Sequence, residues 1–169
     1  AVLERNYIGG GNSGRNTTII RANYGIPEAV RFYQRSVELY EGLAEETGRD
    51  LLHAVKGLVW MAHSEAAVRT ERARAAVNRA FGAPTDFITP DEIKAMVPEV
   101  DLNAGGGQIP VLGATHTLDG ATARHDRVVW ALAEGAMRRG VDVVQRISVN
   151  GLLWDGAVSY THLTLPTKG

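Results

Sequence analysis

The apolar positions of the chain change their period several times, and each change marks an element. Ala1, Val2 and Leu3 form a short apolar run ending on Glu4, which predicts a buried strand with an acidic tip. From Pro27 to Thr47 the period is helical. Ala29, Phe32, Tyr33, Val37, Tyr40 and Leu43 or Ala44 recur at three-to-four spacing, Pro27 and Glu28 suit the first turn, and Gly48 supplies the stop. The aromatic residues of that stripe read as core packing. Residues 55 to 62, with Gly57-Leu58-Val59-Trp60-Met61, read as a strand, although so short an apolar run also suits a buried helix.

Ser64 caps a second helix through about Ala80, ended by Phe81-Gly82, whose Arg and Glu residues predict a solvated face with a few i,i+4 pairs. Thr89-Pro90-Asp91-Glu92 has the spacing of a capping box and opens a short helix, Asp91 to Met96, which stops before Pro98. The glycine-rich stretch 101 to 121 holds a predicted strand at Gln108 to Leu112. A further helix opens at Thr122 or Ala123, keeps Val128, Val129, Leu132 and Ala136 on one side, and closes at Arg138-Arg139-Gly140. With the strand Val141 to Ile147 behind it, the segment 124 to 147 predicts a βαβ crossover feeding a parallel sheet. The opening strand wants parallel neighbours too, and the one a βαβ unit supplies from just upstream is not in this sequence. A last strand approaches a turn at Asp155-Gly156.

Composition narrows the class of partner. With 44% hydrophobic and 22% charged residues, the 169-residue chain has the make-up of a soluble globular protein, large enough for one core or two incomplete lobes. A net charge of −1 gives no electrostatic reason to expect nucleic acid or an anionic membrane. The lack of cysteine excludes disulfides, a thiolate metal site and a cysteine nucleophile, and fits a reducing cytoplasm. No metal site is assigned. The sequence has no signal peptide, no run of eighteen apolar residues and no initiating Met, so it reads as starting inside a longer protein or as trimmed.

Candidate chemistry lies at the joints. Gly9-Gly10-Gly11-Asn12-Ser13-Gly14 precedes Arg15-Asn16-Thr17-Thr18-Ile19-Ile20-Arg21. Glycines let backbone N–H groups approach a phosphate and the polar residues add neutral donors, so the loop is either a cofactor cradle or a mobile surface turn. Glu4 stands where a dinucleotide-binding fold places a ribose-binding carboxylate, or is simply a solvated strand end. His125 and Asp126, at the start of the crossover helix, read as ordinary dipole complementarity or as a histidine displayed beside a ligand. No residue reads as a general base.

The run Gly10 to Tyr24, above all Arg15 to Tyr24, resembles the post-strand segment of FAD-dependent amine and amino-acid oxidases of the D-amino-acid-oxidase superfamily. Within it, the likeness is to the beta-subunit type of heterotetrameric sarcosine oxidases. It extends through Gly57 to Ser64, Thr89 to Pro98, Pro110 to Gly113 and Thr122 to Asp126. The resemblance implies an α/β chain, α+β overall: part of an FAD-binding Rossmann-like domain over 1–50 and 116–157, with part of an inserted substrate-binding domain over 51–115. A Gly-x-Gly-x-x-Gly turn would then lie upstream of residue 1. Residues 158–169 resemble translated sequencing adapter, as appended to reading frames from environmental DNA, which implies a non-native tail.

It also implies roles. Glu4 would bind the adenosine ribose of FAD. Asn12, Ser13, Arg15, Asn16, Thr17, Thr18 and Ile19 would line the path from pyrophosphate to isoalloxazine, and Val149, on the strand after the crossover helix, would touch adenine. Monomeric sarcosine oxidases carry an arginine at the place of Thr18; this chain departs there, and the resemblance leaves open how its flavin face is covered. Arg21 would hold the substrate carboxylate and Tyr24 would join the active site. His125 would carry a covalent FMN, with His116 and His63 as rivals. The implied reaction oxidises the C–N bond of sarcosine or a similar N-methyl or secondary amino acid, giving glycine, a one-carbon unit and H2O2. Tetrahydrofolate and alpha, gamma and delta subunits are the implied partners. The competing reading is a non-catalytic flavin- or nucleotide-binding subunit serving assembly or electron transfer.

Overall fold

A computed structural model describes residues 1–103, 106, 108–151, 153–155 and 158–160. The first part comprises β1 (Val2–Glu4), a single 3-10 turn at Asn12–Gly14, β2 (Ile19–Ile20) and α1 (Pro27–Thr47). Then come β3 (Ala54–Val55), β4 (Leu58–Ala62), α2 (Glu65–Ala80), β5 (Thr85–Ile88) and α3 (Pro90–Met96). The chain continues through β6 (Gly113–Thr117), β7 (Ala121–Thr122), α4 (His125–Arg138) and β8 (Val143–Gln145), and a hairpin of β9 (Leu153–Asp155) and β10 (Val158–Tyr160) follows. The rest of the adapter-like tail, 161–169, lies outside the described residues.

The helix and the parallel strand of the predicted crossover are present, but not as a βαβ unit: β7, the strand before α4, lies in an antiparallel sheet. β8, after α4, pairs in parallel with β1, setting Glu4 opposite Gln145. It is shorter than the predicted Val141 to Ile147, because Arg146 takes a left-handed φ of 62° that interrupts a ladder. Val149 is therefore not on the strand; it lies in the exposed coil beyond it.

Two antiparallel sheets carry the middle of the chain. One has the order β2-β7-β3, the other β4-β6-β5. The predicted strand over 55–62 is split between them. Gly57, at φ 76°, turns the chain out of one sheet and into the other, and the helical alternative for this run is excluded. The strand expected at Gln108 to Leu112 falls later, at Gly113–Thr117. Pro110 has no N–H for a ladder, whereas the small residues after it can be sandwiched as the central strand. Thr122 does not open the last helix: it belongs to β7, and α4 begins at His125 with Arg124 at its cap.

α1, α2 and α3 begin and end close to the sequence expectation, with the capping box at Thr89 and Glu92 fully formed and Ser64 Oγ accepting from Ala67 N at 3.1 Å. α1 packs Val30 and Val37 against Ala22 and Ala83, while α4 packs Val128 and Ala131 against Leu51 and Ala123. A third cluster joins Ile88, Ala114 and Val111 to Ile93 of α3. The aromatic residues of α1 depart from the core reading. Phe32 is 68% exposed and Tyr33 38%, because the buried stripe is set by Val30, Val37 and Thr47 instead.

Candidate functional site

The glycine loop is held by its own side chains. Asn16 Nδ2 donates to Ser13 O at 2.5 Å, and Thr18 N donates to Asn16 Oδ1 at 2.7 Å, so Asn16 staples the loop across its turn. Gly14 sits so close to Gly9 that a Cβ would stand 2.4 Å from the Gly9 carbonyl oxygen, a position only glycine tolerates. At the strand tip, Glu4 Oε1 accepts from Asn6 N at 2.7 Å, and Gln145 Oε1 accepts from Ile8 N at 2.7 Å. The turn after β1 is thereby tied to β8. Thr18 itself adopts a left-handed φ of 62°, strained for a β-branched residue, and its carbonyl accepts from Ala123 N at 3.1 Å.

That last bond brings the start of α4 against the loop. Three cavities follow one another along this seam. The first, about 270 Å³, is lined by Tyr7, Ile8, Gly9, Gly14, His125 and Val129. The second, about 180 Å³, has a polar wall of Ser13, Asn16, Thr17 and Thr18 facing Ile19, Ile20, Val128 and Val129, and shares His125 with the first. The third, about 630 Å³, shares Thr17, Ile19, Ile20 and Tyr40 with the second and ends among Arg21, Tyr24, Tyr33 and Trp60. Together they make a trough running from the glycine turn to an aromatic end.

The structure thus brings together Ser13, Asn16, Thr17, Thr18, Ile19, Arg21, Tyr24 and His125 along one trough. Glu4 lies at the tip of β1, whereas Asn12 opens the 3-10 turn and Arg15 follows it, both with exposed side chains, and Val149 stands in the coil after β8. His125 is half-buried, and its Nδ1 has no partner among the described residues. Of its two rivals, His63 pairs Nδ1 with Pro110 O at 3.2 Å and His116 packs beside Gly57; His125 is the one lining the trough.

At the aromatic end, Arg21 lies over the ring of Tyr24 at 5.0 Å and that of Trp60 at 5.4 Å, and its Nη1 donates to Asn23 O at 2.9 Å. Tyr24 stacks on Tyr33 with centroids 4.2 Å apart. Burial pushes the Tyr24 phenol above the usual tyrosine range; Tyr33 adds to the shift, and the Arg21 charge opposes it. Reasoning from sequence missed Tyr33 and Trp60. The seven-residue spacing of Tyr33 and Tyr40 was the available signal, since one helical face can line a cavity as readily as a core.

Behind Arg21 lies a second feature that the sequence did not show. α2 was expected to present a solvated polar face, yet Glu71 is 5% exposed and Asn78 is fully buried. Asn23 Nδ2 donates to Thr115 Oγ1 at 3.1 Å, Thr115 Oγ1 donates to Glu71 Oε2 at 3.3 Å, and the Thr85 and Thr117 hydroxyls meet at 3.0 Å. Helical spacing cannot distinguish polar residues facing water from polar residues facing threonines on a sheet.

A parallel strand pair backed by a helix, with a glycine turn and an acidic tip after its first strand, is the local pattern of a dinucleotide-binding fold, here beside a pocket that ends on Arg21. The DAO family, FAD dependent oxidoreductase, matches residues 1–165, and the chain belongs to it. The chain is 39% identical over 158 residues to sarcosine oxidase subunit beta of Arthrobacter sp, and 38% identical over 156 residues to that of Rhodobacter capsulatus. These alignments cover 92% of this chain but 38% and 37% of the relatives, so the chain spans well under half their length. Among solved structures, L-proline dehydrogenase from P. horikoshii matches with a TM-score of 0.82 at 28% identity, over 94% of this chain and 40% of that one. Glycine oxidase from Geobacillus kaustophilus matches in fold, with a TM-score of 0.78 at 21% identity, over 93% of this chain and 42% of that one. No helix among the described residues is long and apolar enough to cross a membrane.

Proposed function

We propose that these residues form the cofactor-and-carboxylate half of a flavin-dependent amino-acid oxidoreductase acting on sarcosine or a similar N-methyl or secondary amino acid. The observation that carries the reading is the trough: a glycine turn too tight for a Cβ at one end and a fixed guanidinium at the other. FAD suits it, with Glu4 toward the ribose, and Asn12, Ser13, Arg15, Asn16, Thr17, Thr18 and Ile19 along the path to the ring. The polar wall offers donors and the apolar wall a dry surface. Val149 is proposed as the adenine contact. When bound, FAD supplies the acceptor for a hydride equivalent from the C–H beside the amine.

The chain's own contribution is binding and orientation. Arg21 presents a permanently charged planar fork to the substrate carboxylate, and the aromatic rings at its sides exclude water from that contact. Tyr24, a neutral phenol at physiological pH, offers a hydrogen-bond donor beside that contact. His125 is the proposed attachment point for a covalent FMN, supported by a ring nitrogen left without a partner beside the trough. Alpha, gamma and delta subunits and tetrahydrofolate complete the proposal, by likeness to the sarcosine oxidase beta subunits; a chain without cysteine is compatible with the cytoplasm, where we place the reaction.

The test is anaerobic addition of sarcosine to the protein made from its full reading frame and loaded with FAD. Bleaching of the yellow flavin band is expected, whereas a band that stays unchanged with sarcosine, proline and other secondary amino acids contradicts the oxidoreductase reading. Acid denaturation tests the second flavin: yellow colour stays with the wild-type polypeptide and leaves with His125→Ala.

A further inference from the structure

The guanidinium of Arg21 is far better supported than a surface arginine requires. β4 and β6 are in register with Trp60 opposite Thr115, so these two side chains stand next to each other on one face of the sheet. Trp60 lies against one side of the guanidinium at 5.4 Å, and Tyr24 against it at 5.0 Å. Thr115 holds the Asn23 side chain at 3.1 Å, and the carbonyl of that same Asn23 accepts from Arg21 Nη1 at 2.9 Å. Glu71 of α2 accepts from the Thr115 hydroxyl, and Asn78 Nδ2 reaches both Asn23 Oδ1 at 3.5 Å and Thr85 Oγ1 at 3.4 Å. Asn23, Thr115, Thr85 and Asn78 are at most 1% exposed.

Burying that many polar groups gives little net stability, since each hydrogen bond replaces one to water, but it fixes a single arrangement. What it fixes is the loop between β2 and α1, residues 21 to 26, which carries Arg21 and Tyr24. We infer that the cross-strand pair Trp60 and Thr115 is a mount for Arg21, with Thr115 acting through Asn23. These are positioning residues that hold the guanidinium pre-set for the carboxylate of a small amino-acid substrate. The inference rests on the proposed role of Arg21. One donor of the guanidinium is spent on Asn23 O, which leaves the other amino group and Nε for the ligand. A mounted arginine loses little rotamer freedom when the carboxylate arrives, and that saving appears as affinity.

The test measures binding, not turnover. Propionate, a bare carboxylate, is titrated by calorimetry into the FAD-loaded protein from the full reading frame, alongside flavin content and Tm. Trp60 is 45% exposed, so Trp60→Leu is expected to keep flavin and Tm near wild type while weakening propionate about three- to thirtyfold, the range of a cation–π contact. Trp60→Phe, which keeps a ring, restores most of that loss. Thr115→Val lowers Tm and also weakens propionate; a merely structural threonine would lower Tm alone. Wild-type propionate affinity in Trp60→Leu overturns the mount. Arg21→Met separates the two levels: if it leaves propionate binding intact, the carboxylate role of Arg21 falls; if it abolishes binding while Trp60→Leu changes nothing, only the mount falls.

Discussion

The two ends of the trough are built in opposite ways. At the glycine end, a parallel pair three residues long, β1 with β8, backs a loop whose bonds are mostly to itself, and Val2 and Val144 of that pair remain exposed. At the aromatic end, a three-stranded antiparallel sheet is closed on one face by α3 and on the other by α2, with a buried polar network between. The second end is set before any ligand arrives. The first has its shape from backbone approach and a staple, and a bound cofactor would supply much of its remaining contact. Rigid support for the recognition group and a lighter frame around the cofactor turn is the lesson of the difference.

Substitutions can break that contrast. The largest effect is expected at Gly14→Ala, where a Cβ would stand 2.4 Å from Gly9 O. Overpacking against backbone costs about 1–3 kcal/mol, which lowers FAD affinity by roughly ten- to a hundredfold, read by flavin fluorescence titration. Tm should fall much less, because the sheet at the other end is untouched. At the joint between the sheets, Gly57→Ala forces a left-handed alanine at φ 76° and brings a Cβ within 2.7 Å of His116 Nε2. A loss of about 1–2 kcal/mol of stability follows from the backbone alone, measured by urea unfolding.

Both sensitive joints were legible in the sequence as glycines, but their reasons were not. The opening strand, the helices and the strand after the last helix followed from period and caps, because those signals are local, whereas the pairing of that strand with β1 did not. The split at Gly57, the strand β6 and the buried face of α2 were not visible, because each depends on which surface lies opposite. Likewise Arg21, Tyr24 and His125 stood out by resemblance. Trp60 and Tyr33 look like ordinary apolar positions until the strand register and the helix rotation place them around a cation.

Smaller effects sharpen the comparison. The raised Tyr24 pKa means that the folded protein binds more protons than the unfolded chain once pH passes the unfolded tyrosine value of 10.0. Its contribution to stability is fully present below that value and is lost as pH rises through the folded pKa. Wild type should therefore lose stability more steeply than Tyr24→Phe above pH 10, by urea midpoints at successive pH values; parallel curves would deny the burial of the phenol. The smallest effect is expected at Ser64→Ala, which removes the cap of α2 for about 1 kcal/mol. Because α2 supports Asn23 through Glu71 and Asn78, that loss should leave FAD affinity unchanged.

The most direct measurement of the account compares wild type and Arg21→Met, both loaded with FAD, in anaerobic titration with sarcosine. Wild type should bleach; Arg21→Met should hold FAD equally well yet need about a hundredfold more sarcosine for half-bleaching, the equivalent of losing charge-assisted hydrogen bonds to a carboxylate. Equal half-bleaching concentrations in the two proteins would contradict a trough that ends on Arg21.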